Sequence, residues 1–148
     1  MPMSAVYAAA GTFPDKRRLA TDLATAVKTI EQAPNIPMFR KNTAAFVHDL
    51  SEDGIANVDG DSNYVRAQTL TNAGALNRDK QPAVVSQLTQ IVAQAASDPA
   101  LVERTWVLLT EAYDGGWGLK GLANTSEELV AAARTEIASL ATNSPPES

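Results

Sequence analysis

The feature that most constrains this chain is a repeated order. A short apolar strand, a long amphipathic helix and a second strand occur twice, about 60 residues apart. The first strand runs from Met3 to Ala10 and is closed by Gly11. The helix after it begins near Thr12-Phe13-Pro14-Asp15. Proline fits a first turn because its missing N–H would be unpaired there anyway, and Thr12 and Asp15 have the spacing of a capping box. Leu19, Leu23, Val27 and Ile30 then recur on one helical stripe. The helix ends before Pro34, because proline disfavours helical geometry in the residue before it. A loop carrying Ile36-Pro37 and Arg40-Lys41 leads to a second strand over Thr43 to Leu50.

The second unit repeats this pattern. Tyr64 to Leu70 is a strand, and a helix starts near Asp79 with Pro82 in its first turn. Val84, Val85, Leu88, Ile91, Val92 and Ala95 form its stripe, and Thr105 to Thr110 is the most apolar strand. Between the units, Ser51 to Asn63 is rich in Asp, Gly and Asn and reads as turns or a small hairpin. Asp59, Asp61 and Asn63 imitate a calcium loop, but Tyr64 and Leu70 stand where that loop needs Gly and Glu, so they are read as turn formers. Ser126 caps a last helix over about 126–141, with Glu127 and Glu128 in its first turn and Leu129, Val130, Ala133, Ile137 and Leu140 on its apolar face. The tail 143–148, with Pro145 and Pro146, is expected to be disordered.

A parallel β-α-β unit lays its helix on one face of the sheet. Two such units predict an α+β fold: one four-stranded sheet, two helices on one face and a C-terminal helix. The reading is one domain over 1–142, with units at about 2–50 and 63–121. The other sheet face is left bare, which argues for an oligomer.

Composition narrows the function. With a net charge of −5 and no basic block, neither nucleic acid nor an anionic membrane is an expected partner. The chain has no cysteine, which excludes disulfides and thiolate chemistry, and His48 is its only histidine, which excludes a polyhistidine metal site within one chain. No apolar run approaches the ~20 residues of a spanning helix, and no secretory signal is recognisable. A cytoplasmic protein without metal or other cofactor is the expectation.

The chain begins Met1-Pro2-Met3. An initiator methionine is usually removed when the next residue is as small as proline. The chain would then start with the secondary amine of Pro2, held rigidly by its ring. A free α-amino group titrates near ~8, and an apolar pocket lowers that value. A base poised near neutral pH suits proton transfer at carbon. If Met1 stays, the Pro2 nitrogen is a tertiary amide and cannot act as a base.

Two β-α-β units behind such a proline, followed by Trp106-Val107-Leu108-Leu109-Thr110-Glu111-Ala112 and Gly116-Trp117-Gly118-Leu119-Lys120-Gly121, resemble the tautomerase superfamily. The likeness is to fused double-unit members related to 4-oxalocrotonate tautomerase, cis-3-chloroacrylic acid dehalogenase and malonate semialdehyde decarboxylase. It covers about Pro2 to Gly121, and Val47-His48-Asp49 is a second echo. The resemblance implies a homotrimer with a pocket around each N-terminal proline. It also implies a cofactor-independent keto–enol tautomerase or isomerase acting on a small carbonyl or unsaturated acid. Pro2 would be the catalytic base, with Trp117 as a pocket wall.

Departures bear on the substrate. The family usually places carboxylate-binding arginines after the first or third strand, where this chain has Thr12 and Phe13, and Thr71 to Ala75. Arg78, at the start of the second long helix, is the expected replacement anchor. Asn42 stands where the decarboxylase has an aspartate and is the expected polar contact, and Leu108 stands where the dehalogenase has a tyrosine. Arg17, Arg40 and His48 rank lower. Two alternatives stay open: hydratase or dehalogenase-type chemistry with a protonated proline, and a trimeric binding protein on the same fold without significant catalysis.

Overall fold

In the computed structural model, described over residues 1–143, the two units fold into one sheet. The first comprises β1 (Met3–Ala9), α1 (Lys16–Glu31) and β2 (Ala44–Leu50), with a short α2 (Pro37–Lys41) before β2. The second comprises β3 (Val65–Thr71), α3 (Lys80–Ala95) and β4 (Thr105–Glu111). A two-stranded hairpin, β5 (Trp117–Leu119) and β6 (Leu122–Asn124), and a final helix α4 (Ser126–Asn143) complete the chain.

The strand order is β2-β1-β3-β4. Within each unit the strands are parallel, and the units meet where β1 runs antiparallel to β3. The arrangement is a pseudo-two-fold one about the β1–β3 seam. On that seam Ser4 faces Thr69, and their buried hydroxyls hydrogen-bond at 3.0 Å.

Alternation decides which face is covered. Ser4, Val6 and Ala8 of β1 and Val65, Ala67, Thr69 and Thr71 of β3 point to one side and are buried. Against the apolar residues among them pack Leu19, Leu23 and Val27 of α1 and Val84, Leu88 and Val92 of α3. Both helices therefore lie on the same face. The opposite face is open. A transverse row His48, Tyr7, Arg66 and Trp106 crosses it in register. Tyr7 stacks on His48 with ring centres 4.6 Å apart, and the Arg66 guanidinium lies over the Tyr7 ring. Phe46, Trp106 and Leu108 are exposed there.

Local details depart from the sequence reading. Asp15, not Thr12, caps α1: its carboxylate accepts from the Arg18 N–H, while the Thr12 hydroxyl donates to the Ala9 carbonyl. The segment 36–42 holds a helical turn nucleated by Pro37 at its first position. No hairpin forms between β2 and β3; Asn57 closes a turn there by accepting from the N–H groups of Asp59 and Asp61. Thr125 rather than Ser126 caps α4, taking the Glu128 N–H. On the expected apolar face of α4 only Leu129 and Ala133 are buried. Residues 144–148 of the predicted tail lie outside the described residues.

Candidate active site

The start of β1 is interior rather than solvated. Pro2 is fully buried, and its carbonyl accepts from the Ala44 N–H at 3.2 Å, which ties it to the entry of β2. Met1 is 1% exposed and packs with Trp117 and Leu129, with Phe39 and Met38 at the margin. This small apolar cluster is separate from the main core and is built from α2, the β5–β6 hairpin and α4.

Glycine makes that hairpin possible. Gly115 sits at φ +94, a conformation L side chains rarely adopt, and a Cβ on Gly116 would come to 3.0 Å from the Tyr113 carbonyl oxygen. After that turn Trp117 packs on Met1 at the chain start. Asp114 fixes its base by accepting from the Ser126 N–H at 2.7 Å, and Asn124 holds its far strand by donating to the Trp117 carbonyl at 3.0 Å.

The terminal amine lies 3.3 Å from Oε1 of Glu31, and the Glu31 side chain is only 11% exposed. Its other oxygen, Oε2, is buried without a hydrogen-bond partner. Burial pushes the pKa of the Met1 amine below 8.0, and the Glu31 carboxylate opposes that shift in part. A cavity of about 330 Å³ opens beside this pair, lined among others by Met1, Glu31, Phe39, Asn72, Ser126 and Leu129. Among the described residues, Glu31 is the only charged side chain in its lining. Asn72 donates to the Ser126 hydroxyl, which donates to the Ala73 carbonyl.

Of the residues singled out from sequence, Pro2 and Trp117 belong to this neighbourhood. Asn42 does not line the cavity. It closes α2, donating to the Met38 carbonyl at 2.7 Å, and faces a second hollow between α2, the hairpin and α4. Arg78 is exposed, and its guanidinium reaches only Gln81, at 3.5 Å. Arg40 bonds Asn35, and His48 lies on the open sheet face.

Sequence reasoning passed over Glu31. Its signal was present: Leu19, Leu23, Val27 and Glu31 are spaced four apart, so an acid continues the buried stripe of α1. Among the described residues, no group of three or more His, Cys, Asp or Glu side chains is placed to hold a metal ion. No helix among them is long and apolar enough to cross a membrane.

No protein-family model and no curated protein sequence matches the chain. Solved structures do. One is a member of the cis-3-chloroacrylic acid dehalogenase family, 21% identical over 88% of this chain and 90% of that one, with a TM-score of 0.69. The chain has the tautomerase fold. A second structure with that fold is a protein inactivated by 2-oxo-3-pentynoate, 15% identical over 86% of this chain and 98% of that one, TM-score 0.70. A third is a fused 4-OT forming an asymmetric trimer, 18% identical over the same shares, 86% and 98%, TM-score 0.69. At such identities the tautomerase likeness is one of fold.

Proposed function

We propose that the chain beginning at Pro2 is a cofactor-independent enzyme of the tautomerase type, interconverting enol and keto forms of a small carbonyl compound. The observation that carries this reading is the burial of the chain start in an apolar cluster, where desolvation already lowers the pKa of the Met1 amine one residue away from Pro2. Removal of Met1 empties the space its side chain fills and leaves the Pro2 nitrogen as the terminal amine beside it. In ketonisation, neutral Pro2 takes the enol hydroxyl proton, and the resulting ammonium returns a proton to carbon. Asn72, whose amide has a second hydrogen, is suited to polarise the carbonyl as charge develops. Trp117 stands outside the cavity lining but packs on Met1 and Leu129, backing the apolar wall that keeps water from the chain start. Asn42 and Arg78 stand outside this cavity and receive no step. The enzyme acts as a homotrimer, as the trimeric fused 4-OT of the same fold does.

A second reading draws on Glu31. A carboxylate beside the amine favours its charged form, and a protonated Pro2 would donate to carbon during addition of water to an unsaturated compound.

The test uses protein whose mass confirms a start at residue 2. Ketonisation of phenylenolpyruvate and of its methyl ester should be faster with the wild type than with Pro2→Ala, by about 10²–10⁴-fold for whichever substrate is accepted. Equal rates for both proteins on both substrates remove Pro2 from the mechanism. The methyl ester of 2-oxo-3-pentynoate, the acid that inactivates a protein of this fold, should add once, at Pro2.

A further inference from the structure

We propose that Glu31 sets the substrate class of this site: the pocket takes a neutral carbonyl compound bearing a hydrogen-bond donor and discriminates against free carboxylates. This deepens the reading above and rests on Pro2 being the first residue of the working chain.

The charges around the cavity point this way. Glu31 supplies its only charged side chain, and that charge is negative. Among the described residues, no cationic side chain lines the cavity or pairs with the Glu31 carboxylate. Lys80 donates to the Glu31 backbone carbonyl at 3.0 Å rather than to its carboxylate. Arg40 is bound to Asn35, Arg66 lies on the open sheet face, and Arg104 pairs with Asp98. Glu111, the other acid near the rim, accepts from the Gly74 N–H.

The carboxylate itself is poised for a ligand. With Met1 present, Oε1 takes the terminal amine while Oε2 stays buried and unpartnered. An unpaired buried acceptor is costly, and a donor that reaches it recovers that cost. Once Met1 leaves, Oε1 loses its partner as well. Backbone bond lengths put the Pro2 nitrogen no more than about 3.6 Å from where the Met1 nitrogen stood. The Pro2 amine and the Glu31 carboxylate then both adjoin the vacated volume. An enol hydroxyl or an amide N–H can satisfy Glu31 from that volume. A substrate carboxylate placed there meets a like charge in a partly dry site, where repulsion is weakly screened.

The experiment measures kcat/KM for phenylenolpyruvate and its methyl ester with wild type, Glu31→Gln and Pro2→Ala, all confirmed to start at residue 2. The wild type should prefer the ester by about tenfold or more, and Glu31→Gln should shrink that preference by about tenfold, chiefly by improving the acid. A wild type that prefers the acid, or a Glu31→Gln variant with an unchanged ratio, overturns the proposal. Equilibrium binding separates this from the catalytic reading. The Trp117 indole resonance should report phenylacetamide binding at least tenfold tighter than phenylacetate, and the gap should close in Glu31→Gln. That result stands even if Pro2→Ala reacts as fast as wild type, in which case only the catalytic reading falls. Equal binding of the two compounds, or binding of neither at millimolar concentration, counts against Glu31.

Discussion

At the scale of single residues, the first amine of the chain and Glu31 form a buried, unequal pair. Burial lowers the pKa of the Met1 amine, while Glu31 raises it again in part. In a chain that keeps Met1, the folded amine therefore releases its proton at lower pH than the unfolded one, whose value is near 8.0. Between those two values the unfolded state binds more protons, so stability climbs with pH across that window. Below it both states are charged and the whole burial penalty stands; above about 8 both are neutral and none remains. Urea midpoints of the Met1-retaining chain should thus rise relative to an N-acetylated control as pH goes from about 6 to about 9. A difference that is flat or falls with pH would show that the amine is not desolvated. Glu31 also marks the limit of reading by periodicity. Leu19, Leu23 and Val27 announce themselves as core because they are apolar; a carboxylate at the next stripe position reads as the polar end of a helix. Only the fold reveals that this position meets the chain start, 30 residues away.

At the scale of elements, the strands and long helices were legible because each carries one period. Val6 and Ala8, or Leu19, Leu23 and Val27, sort to one side whatever surrounds them. The short α2 was not legible, since its five residues bury no side chain of their own. The Trp117-Gly118-Leu119 segment, legible only as part of a motif, is a strand of a hairpin, because pairing with Leu122–Asn124 supplies what propensity does not. That hairpin positions Trp117, and its glycines are not equivalent. Gly115, at φ +94, is strained by any side chain, whereas a Cβ on Gly118 meets nothing within 4 Å. Gly115→Ala should cost about 1–3 kcal/mol in denaturant unfolding, whereas Gly118→Ala should leave stability unchanged or raise it by up to about 1 kcal/mol. Matching losses at both positions would mean that the turn conformation is not what holds Trp117.

At the scale of the whole molecule, the asymmetry of the sheet has to be resolved. One face carries α1 and α3; the other carries Phe46 at 53% exposure, Leu108 at 46%, Trp106 at 43% and Leu70 at 38%. An apolar sheet face of this kind is seldom left to water in a soluble protein. Its polar members touch one another: Arg66 bonds Gln68 and lies over Tyr7, and Tyr7 stacks on His48. Arg66 has only neutral partners there, so a copy packed on this face has to leave its guanidinium at the rim or meet it with an acceptor. The expected assembly is a trimer, with light scattering giving three times the 15.6 kDa of one chain at micromolar concentration. Leu108→Glu places a carboxylate midway along the edge strand β4 of that face and should yield monomers with unchanged far-ultraviolet dichroism. Val58→Glu, on a fully exposed residue outside the sheet, should leave the trimer intact. A wild-type monomer would contradict the assembly outright. A trimer that survives Leu108→Glu would move the contact off the sheet, leaving Phe46, Trp106 and Leu108 to face a partner of another kind.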